Sequence, residues 1–75
     1  PSTQIGLGSL VEIKGPKSTT WYMIGPGGGG IDIEVDGTMI TVLTLHSPLG
    51  LSLASKAKGD EVELPESTAT VLQVL

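Results

Sequence analysis

Between Ser47 and Leu64 the chain reads SPLGLSLASKAKGDEVEL, and this segment predicts a helix start, a short helix, a turn and a strand. Ser47 is suited to cap the first free amides of a helix, and Pro48 fits the first helical position, where no N–H is needed. Gly59 and Asp60 should break the helix, and the residues after them alternate between apolar and acidic types, as in a half-buried strand. The segment therefore predicts one helix inserted between strands.

The helix is expected over residues 48–57. Leu49, Leu53 and Ala57 fall on one of its faces, and small residues beside them would let the helix lie close to a sheet. Leu51 points roughly 160–200° away from that face. We therefore expect Leu51 to be exposed or available to a partner.

The rest of the chain predicts strands by alternation and by β-branched composition. Six strands are expected, at residues 10–14, 19–24, 31–35, 38–45, 60–64 and 70–75. Asp36 and Gly37 suit a two-residue type I′ turn, because both central positions of that turn need a positive φ. Residues 1–7 are interpreted as a linker or tail, and residues 8–75 as a single domain. This order predicts an α+β fold, with a mostly antiparallel sheet and one short helix packed on it.

The charge balance of the chain is acidic. Its 75 residues include eight carboxylates and four cationic side chains, all of them lysine, which gives a net charge of −4. Such a chain is poorly equipped to neutralise phosphates or to read guanine, since arginine is the usual residue for guanine contacts. Direct nucleic-acid binding by this domain is therefore not expected.

The composition also argues against several other kinds of ligand site. Without cysteine the chain has no disulfide or thiolate metal site, and its two aromatic residues are too few to line a small-molecule pocket. No apolar run approaches the roughly 20 residues of a membrane span, and no signal peptide is visible. We expect a cytoplasmic domain with no cofactor, no membrane contact and no small-molecule ligand. The chain starts at Pro1 rather than methionine, which indicates either processing or a domain of a longer protein, and the second interpretation is favoured.

Two acidic or glycine-rich motifs have alternative explanations. Asp32, Glu34 and Asp36 are spaced like the opening of a calcium-binding EF loop, but the twelfth position of that loop falls on Leu43 instead of a bidentate carboxylate. Alternating acids on the solvated face of a strand explain the pattern better. The glycines at positions 27–30 precede a predicted strand, whereas a phosphate-binding loop precedes a helix, so a flexible loop is favoured.

His46 is the only histidine of the chain, and no second histidine or cysteine could share a metal with it. It could act as a base for Ser47 only if a third group oriented it, and adjacent residues rarely reach that geometry. A surface histidine at a strand-to-helix corner is the favoured interpretation, and contact with a partner is the alternative.

Trp21 and Tyr22 are adjacent in a predicted strand and therefore point to opposite faces of the sheet. One is expected to fill the core, because a thin aliphatic core needs its largest ring, and the other to lie on the outer face. Core packing is favoured over a binding platform.

Several of these motifs are also those of a known family. They are GSLV at 8–11, YMIG at 22–25, SPLG at 47–50, Leu53, Lys56 and GDEV at 59–62. Over residues 8–75 the chain resembles the C-terminal domain of the bacterial Gre transcript-cleavage factors, GreA and GreB. It departs from the family at Ser55, where a glycine is usual, at Leu51, where a polar residue is usual, and at Ala57 and Lys58.

The resemblance implies an FKBP-like fold and a docking role. In the Gre family this domain holds the rim of the secondary channel of RNA polymerase, on the largest subunit. A separate coiled coil with an acidic tip helps to hold the magnesium ion that promotes RNA cleavage, and nothing in this chain matches it. The resemblance thus implies a non-enzymatic domain with no catalytic, cofactor or metal residues, and with partner contacts at His46, Ser47, Pro48, Leu49 and Leu51.

Two other functions stay open at this point. An Rnk-like regulator of nucleotide metabolism shares the C-terminal fold and would differ from Gre in the sequence before Pro1. An FKBP-type peptidyl-prolyl isomerase would share the fold, but such pockets depend on several aromatic side chains, and this chain has two.

Overall fold

The computed structural model describes residues 4–27, 29–64 and 67–75 of the chain. Six strands and one helix form within these residues. In chain order they are β1 (Leu10–Lys14), β2 (Thr19–Gly25), β3 (Ile31–Val35), β4 (Thr38–Thr44), α1 (Pro48–Leu53), β5 (Glu61–Glu63) and β6 (Thr68–Val74). All six predicted strands are confirmed, with ends that match the prediction or differ from it by at most two residues.

The strands form one sheet in the order β3-β4-β2-β1-β6-β5. β1 and β2 pair as a hairpin, and β3 and β4 form a second hairpin. β2 and β4 run parallel, while all other neighbours run antiparallel. The result is a mostly-β domain with a mixed sheet and one short helix, consistent with the α+β class.

The turn between β3 and β4 has the predicted type I′ geometry. Asp36 has φ 50° and Gly37 has φ 80°, so both central residues are left-handed. Val35 and Thr38, on either side, are direct partners in the β3–β4 register. The backbone twist of a type I′ turn matches the right-handed twist of the two strands that it joins. The turn therefore fixes the register of the hairpin.

The hydrophobic core lies between one face of the sheet and α1. Its buried members are aliphatic: Ile5, Val11, Ile13, Ile24, Leu53, Val62, Ala69 and Val71. Each large aliphatic side chain contributes about 1.5–3 kcal/mol of stability through its removal from water. A core of this size is consistent with a domain of 75 residues.

The two aromatic residues lie on opposite faces of the sheet, as predicted. Tyr22 packs against the buried core from β2. Trp21 pairs across strands with Ile40, and the two contribute to a groove on the other face. The sheet therefore has a second face with apolar side chains, which α1 does not cover.

The helix is shorter than predicted. It ends at Leu53, and the C-cap residue Ala54 is already extended, with ψ 132°. Ser55 then has a left-handed φ of 66°. Ala57, which was expected on the helix face, instead forms an antiparallel bridge with Gln4. The prediction of a helix up to residue 57 is therefore wrong for its last four residues.

Pairing with the N-terminal segment explains why α1 ends at Leu53. The burial of part of this segment also contradicts the interpretation of residues 1–7 as a linker. Ile5 is only 3% exposed and belongs to the core. Its backbone N–H donates to the carbonyl of Lys56 (2.7 Å), and its carbonyl accepts from the N–H of Ser55 (3.0 Å). Ile5 fills part of the thin core. Its backbone hydrogen bonds to Ser55 and Lys56 hold these residues in a non-helical conformation. Residues 1–3 lie outside the described part of the chain.

The Gly59–Asp60 turn is present but has a different role from the one predicted. Gly59 has φ 91°, and its N–H donates to the Val71 carbonyl (2.7 Å). The N–H of Asp60 donates to the carbonyl of Ala57 (3.0 Å), and the Asp60 carboxylate accepts from the Ala57 N–H (2.8 Å). The turn therefore leads the chain into β5 rather than ending α1.

Candidate functional site

The corner between β4 and α1 is held by Ser47. Its backbone is extended (φ −72°, ψ 155°), and its Oγ accepts a hydrogen bond from the Gly50 N–H at 3.0 Å. The same hydroxyl donates to the carbonyl of Thr44 at 2.8 Å, at the end of β4. Ser47 is thus the predicted N-cap, and it also ties the helix start to the strand before it.

Gly50 lets the helix approach the end of β4. It is buried, and a Cβ atom built on it would overlap the Thr44 carbonyl oxygen and crowd the Ser47 Oγ. Only glycine therefore fits here without displacing the strand or the cap. The corner is fixed by steric contact as well as by hydrogen bonds.

A groove opens between α1 and β5, next to this corner. Its volume is about 470 Å³, and its lining residues are Pro48, Leu49, Ser52, Glu63 and Leu64. Leu49 and Leu64 are half-buried and also pack against the core, so the apolar floor is rigid. The exposed Glu63 places a carboxylate at the edge. Such a groove is suited to an apolar side chain that has a cation beside it.

A second, more polar groove adjoins the first along α1. It has a volume of about 420 Å³ and is lined by Ser52, Lys56, Glu61, Glu63 and Thr68. Ser52 and Glu63 line both grooves, so the two form one continuous surface. An apolar floor followed by polar side chains is the usual anatomy of a surface that binds another protein.

The five predicted contact residues do not all lie in the groove. Pro48 and Leu49 line it. Ser47 is half-buried in its capping role, and His46 is exposed on the turn before it. Leu51 is 63% exposed, as its helical position predicts. The five residues form a short continuous corner, and the groove lies along one side of it.

Sequence reasoning missed three lining residues, Ser52, Glu63 and Leu64. Ser52 lies on the α1 side with Pro48 and Leu49, at a spacing that helical periodicity could have indicated. Glu63 is the last residue of β5, and Leu64 follows it. Their approach to α1 depends on how β5 joins the sheet. No local signal in the sequence indicates that contact.

The acidic motif of residues 32–36 lies on a strand and its turn. Asp32 and Glu34 alternate with apolar residues along β3, and an oxygen of Asp32 accepts from the Thr41 hydroxyl at 2.7 Å. Asp36 belongs to the type I′ turn. Over the described ranges, no group of three or more histidine or acidic side chains is arranged to hold a metal ion. Asp32 and Glu34 are exposed on a strand, as the alternation predicts, and Asp36 lies in the turn that follows.

The glycine-rich loop leads directly into β3. Gly30 has φ 85°, and its N–H donates to the carbonyl of Val42 at 2.8 Å. Gly28 lies outside the described residues. Because a strand follows, the loop lacks the helix N-terminus on which phosphate-binding loops depend.

The comparisons with known proteins give no assignment. No family model matches the chain. A search of curated proteins likewise finds no significant match. In the described part of the chain, no helix has the length and apolar character needed to cross a membrane.

Proposed function

We propose that this chain is a protein-docking domain of the Gre type, with an FKBP-like fold, that attaches a longer bacterial transcription factor to RNA polymerase in the cytoplasm. The observation that carries the proposal is the groove beside the Ser47 corner. An apolar floor with a carboxylate at its edge lies next to the SPLG motif, and the side chain of Leu51 is exposed on another face of the same short helix. The partner is the rim of the secondary channel, on the largest subunit of the polymerase.

The corner is held by two hydrogen bonds and one steric contact, and such preorganisation favours docking. The Ser47 hydroxyl and the close approach of Gly50 hold α1 against the end of β4. Little conformational freedom is therefore lost when a partner binds, so more of the contact energy appears as affinity. Leu51 supplies an exposed apolar contact on one side of the corner, and the groove on the other side accepts a side chain from the partner.

Docking has better support than prolyl isomerisation. Among the described residues that line the groove beside α1, none is aromatic. Pockets that bind small molecules or proline side chains are lined mainly by hydrophobic and aromatic residues. The Rnk-like alternative shares the docking role and differs in the parent protein.

Binding to purified core polymerase tests the proposal. The folded chain is expected to bind weakly, and both Ser47→Glu and Leu51→Asp are expected to abolish binding. Leu7→Asp is the matched control, because Leu7 and Leu51 are each 63% exposed and the change of charge is the same. Absence of binding by the folded wild-type chain at about 50 µM, which corresponds to a binding free energy of about −6 kcal/mol, would exclude the proposal.

A further inference from the structure

The outer edge of β3 is open. In the described part of the chain, β3 ends the sheet and pairs only with β4. Ile31 is 54% exposed and Val35 is 49% exposed, and Asp32 and Glu34 are exposed between them. Within the described residues, therefore, no other element covers this strand. An open edge offers unpaired backbone groups to another chain.

The hairpin register identifies which backbone groups are free. Val35 and Thr38 flank a two-residue turn, so they form a hydrogen-bonded pair, and Ile33 with Ile40 forms the next one. The N–H and C=O groups of these β3 residues point to β4. Those of Asp32 and Glu34, in the alternate positions, point outward from the sheet. The free edge thus has two donors and two acceptors, each on an acidic residue.

The side chains of the same strand separate into two faces. Ile31, Ile33 and Val35 lie on the face of the sheet that α1 does not cover, where Ile33 is the cross-strand partner of Ile40. This apolar row continues into a groove of about 250 Å³, which is lined by Leu10, Trp21, Val35, Asp36, Thr38 and Ile40. An additional strand could therefore extend an existing apolar surface. Asp32 and Glu34 lie on the opposite face.

A second copy of the chain is a poor partner for this edge. In an antiparallel pair, the outward groups of Asp32 and Glu34 must meet outward groups of the copy. Every such register places a carboxylate opposite a carboxylate: Asp32 opposite Asp32, Asp32 opposite Glu34, or Glu34 opposite Glu34. Like charges directly opposite each other destabilise a strand pair. The edge therefore disfavours self-association and favours a strand that has cations at these two positions.

The other acidic edge offers a useful contrast. β5 also alternates acids, with Glu61 and Glu63 exposed on either side of Val62. Val62, however, is fully buried in the core. That edge has the charges without a free apolar row, so it lacks half of the pattern found on β3.

We propose that the β3 edge binds an extended segment of a partner protein in which apolar and cationic residues alternate. The segment adds to the sheet as an antiparallel strand. Two lysines or arginines, two positions apart, pair with Glu34 and Asp32, and three apolar residues lie beside Val35, Ile33 and Ile31. This surface is distinct from the corner proposed to contact the polymerase and does not depend on that proposal.

The test uses a synthetic probe, the end-blocked peptide Thr-Val-Lys-Val-Lys-Val-Thr, and the ¹⁵N-labelled chain. The largest amide shifts are expected at Asp32 and Glu34. Asp32→Lys combined with Glu34→Lys should weaken binding by at least about tenfold, through loss of the charge pairs. Glu61→Lys combined with Glu63→Lys changes the net charge by the same amount and should leave the affinity within about twofold.

Backbone methylation of the peptide separates strand addition from simple charge attraction. Methyl groups on the backbone nitrogens of the two lysines should abolish binding, because the backbone N–H groups of these lysines face β3. A methyl group on the central valine nitrogen should preserve it, because that N–H faces away. Equal affinity of both methylated peptides, shifts centred outside residues 31–35, or equal loss in the two charge-reversal variants would overturn the proposal. So would self-association of the chain through β3.

Discussion

The backbone of Gly50 lies directly against the carbonyl oxygen of Thr44, so closely that a Cβ atom on Gly50 would overlap that oxygen. This contact sets the position of α1 on the end of β4. The capping bonds of Ser47 act at the same place, since its hydroxyl joins the Gly50 N–H to the Thr44 carbonyl. The corner proposed to dock is therefore defined by three residues that contact one another.

Gly50→Ala is expected to destabilise the domain by about 2 kcal/mol. The overlap with a backbone oxygen outweighs the gain in helix propensity, which is at most about 1 kcal/mol. The measurement is the urea midpoint of unfolding. Gly27→Ala is the control, because nothing lies within 4 Å of a Cβ atom built there. Equal midpoints for the two variants would show that α1 does not lie against β4 as described.

Ser47→Ala is expected to cost about 1 kcal/mol of folding free energy, because it removes the N-cap. Ser47→Asp should recover only the capping part of the loss, since a carboxylate accepts from the Gly50 N–H but cannot donate to the Thr44 carbonyl. Ser52→Ala is the matched control, for its hydroxyl makes one longer, exposed bond to the Pro48 carbonyl (3.2 Å). A Ser52 variant as unstable as the Ser47 variant would contradict the capping role.

Ile5→Ala is expected to destabilise the domain by about 2–4 kcal/mol, because it leaves a cavity in the core. Leu7→Ala is the control, since Leu7 is largely exposed. A linker residue would show no such effect. An Ile5 variant with wild-type stability in urea unfolding would therefore restore the interpretation of this segment as a tail.

Glu63→Lys is expected to weaken binding to core polymerase several-fold while the fold is preserved, because it reverses the charge at the edge of the groove beside Leu64. The measurement is the dissociation constant at two salt concentrations, and the wild-type value should depend more strongly on salt. Glu34→Lys is the control with the same change of charge. A similar effect of both substitutions would indicate general charge attraction rather than a contact at the groove.

The sequence predicts those parts of the fold that depend on neighbouring residues. Alternation locates the strands, and Asp36-Gly37 specifies the turn because of its two positive φ angles. Ser47 and Pro48 locate the start of α1. Each of these signals acts over only a few residues.

The parts that the sequence does not predict depend on distant pairings. The end of α1 is decided by Ile5, which is far from Ser55 in sequence but hydrogen-bonded to it. The parallel pairing of β2 with β4 also depends on contacts between strands that are not consecutive in the sequence. In the candidate site, the corner is visible in the sequence, whereas Glu63 and Leu64 reach the groove through the position of β5.

The most direct test of the central claim is site-specific photo-crosslinking to core RNA polymerase. A photoreactive amino acid at position 51 is expected to crosslink to the largest subunit, at the rim of the secondary channel. The same group at position 7, where the native leucine is equally exposed, is expected to give no crosslink. Crosslinks of equal yield at both positions, or none at position 51 with the folded chain in excess, would contradict the account.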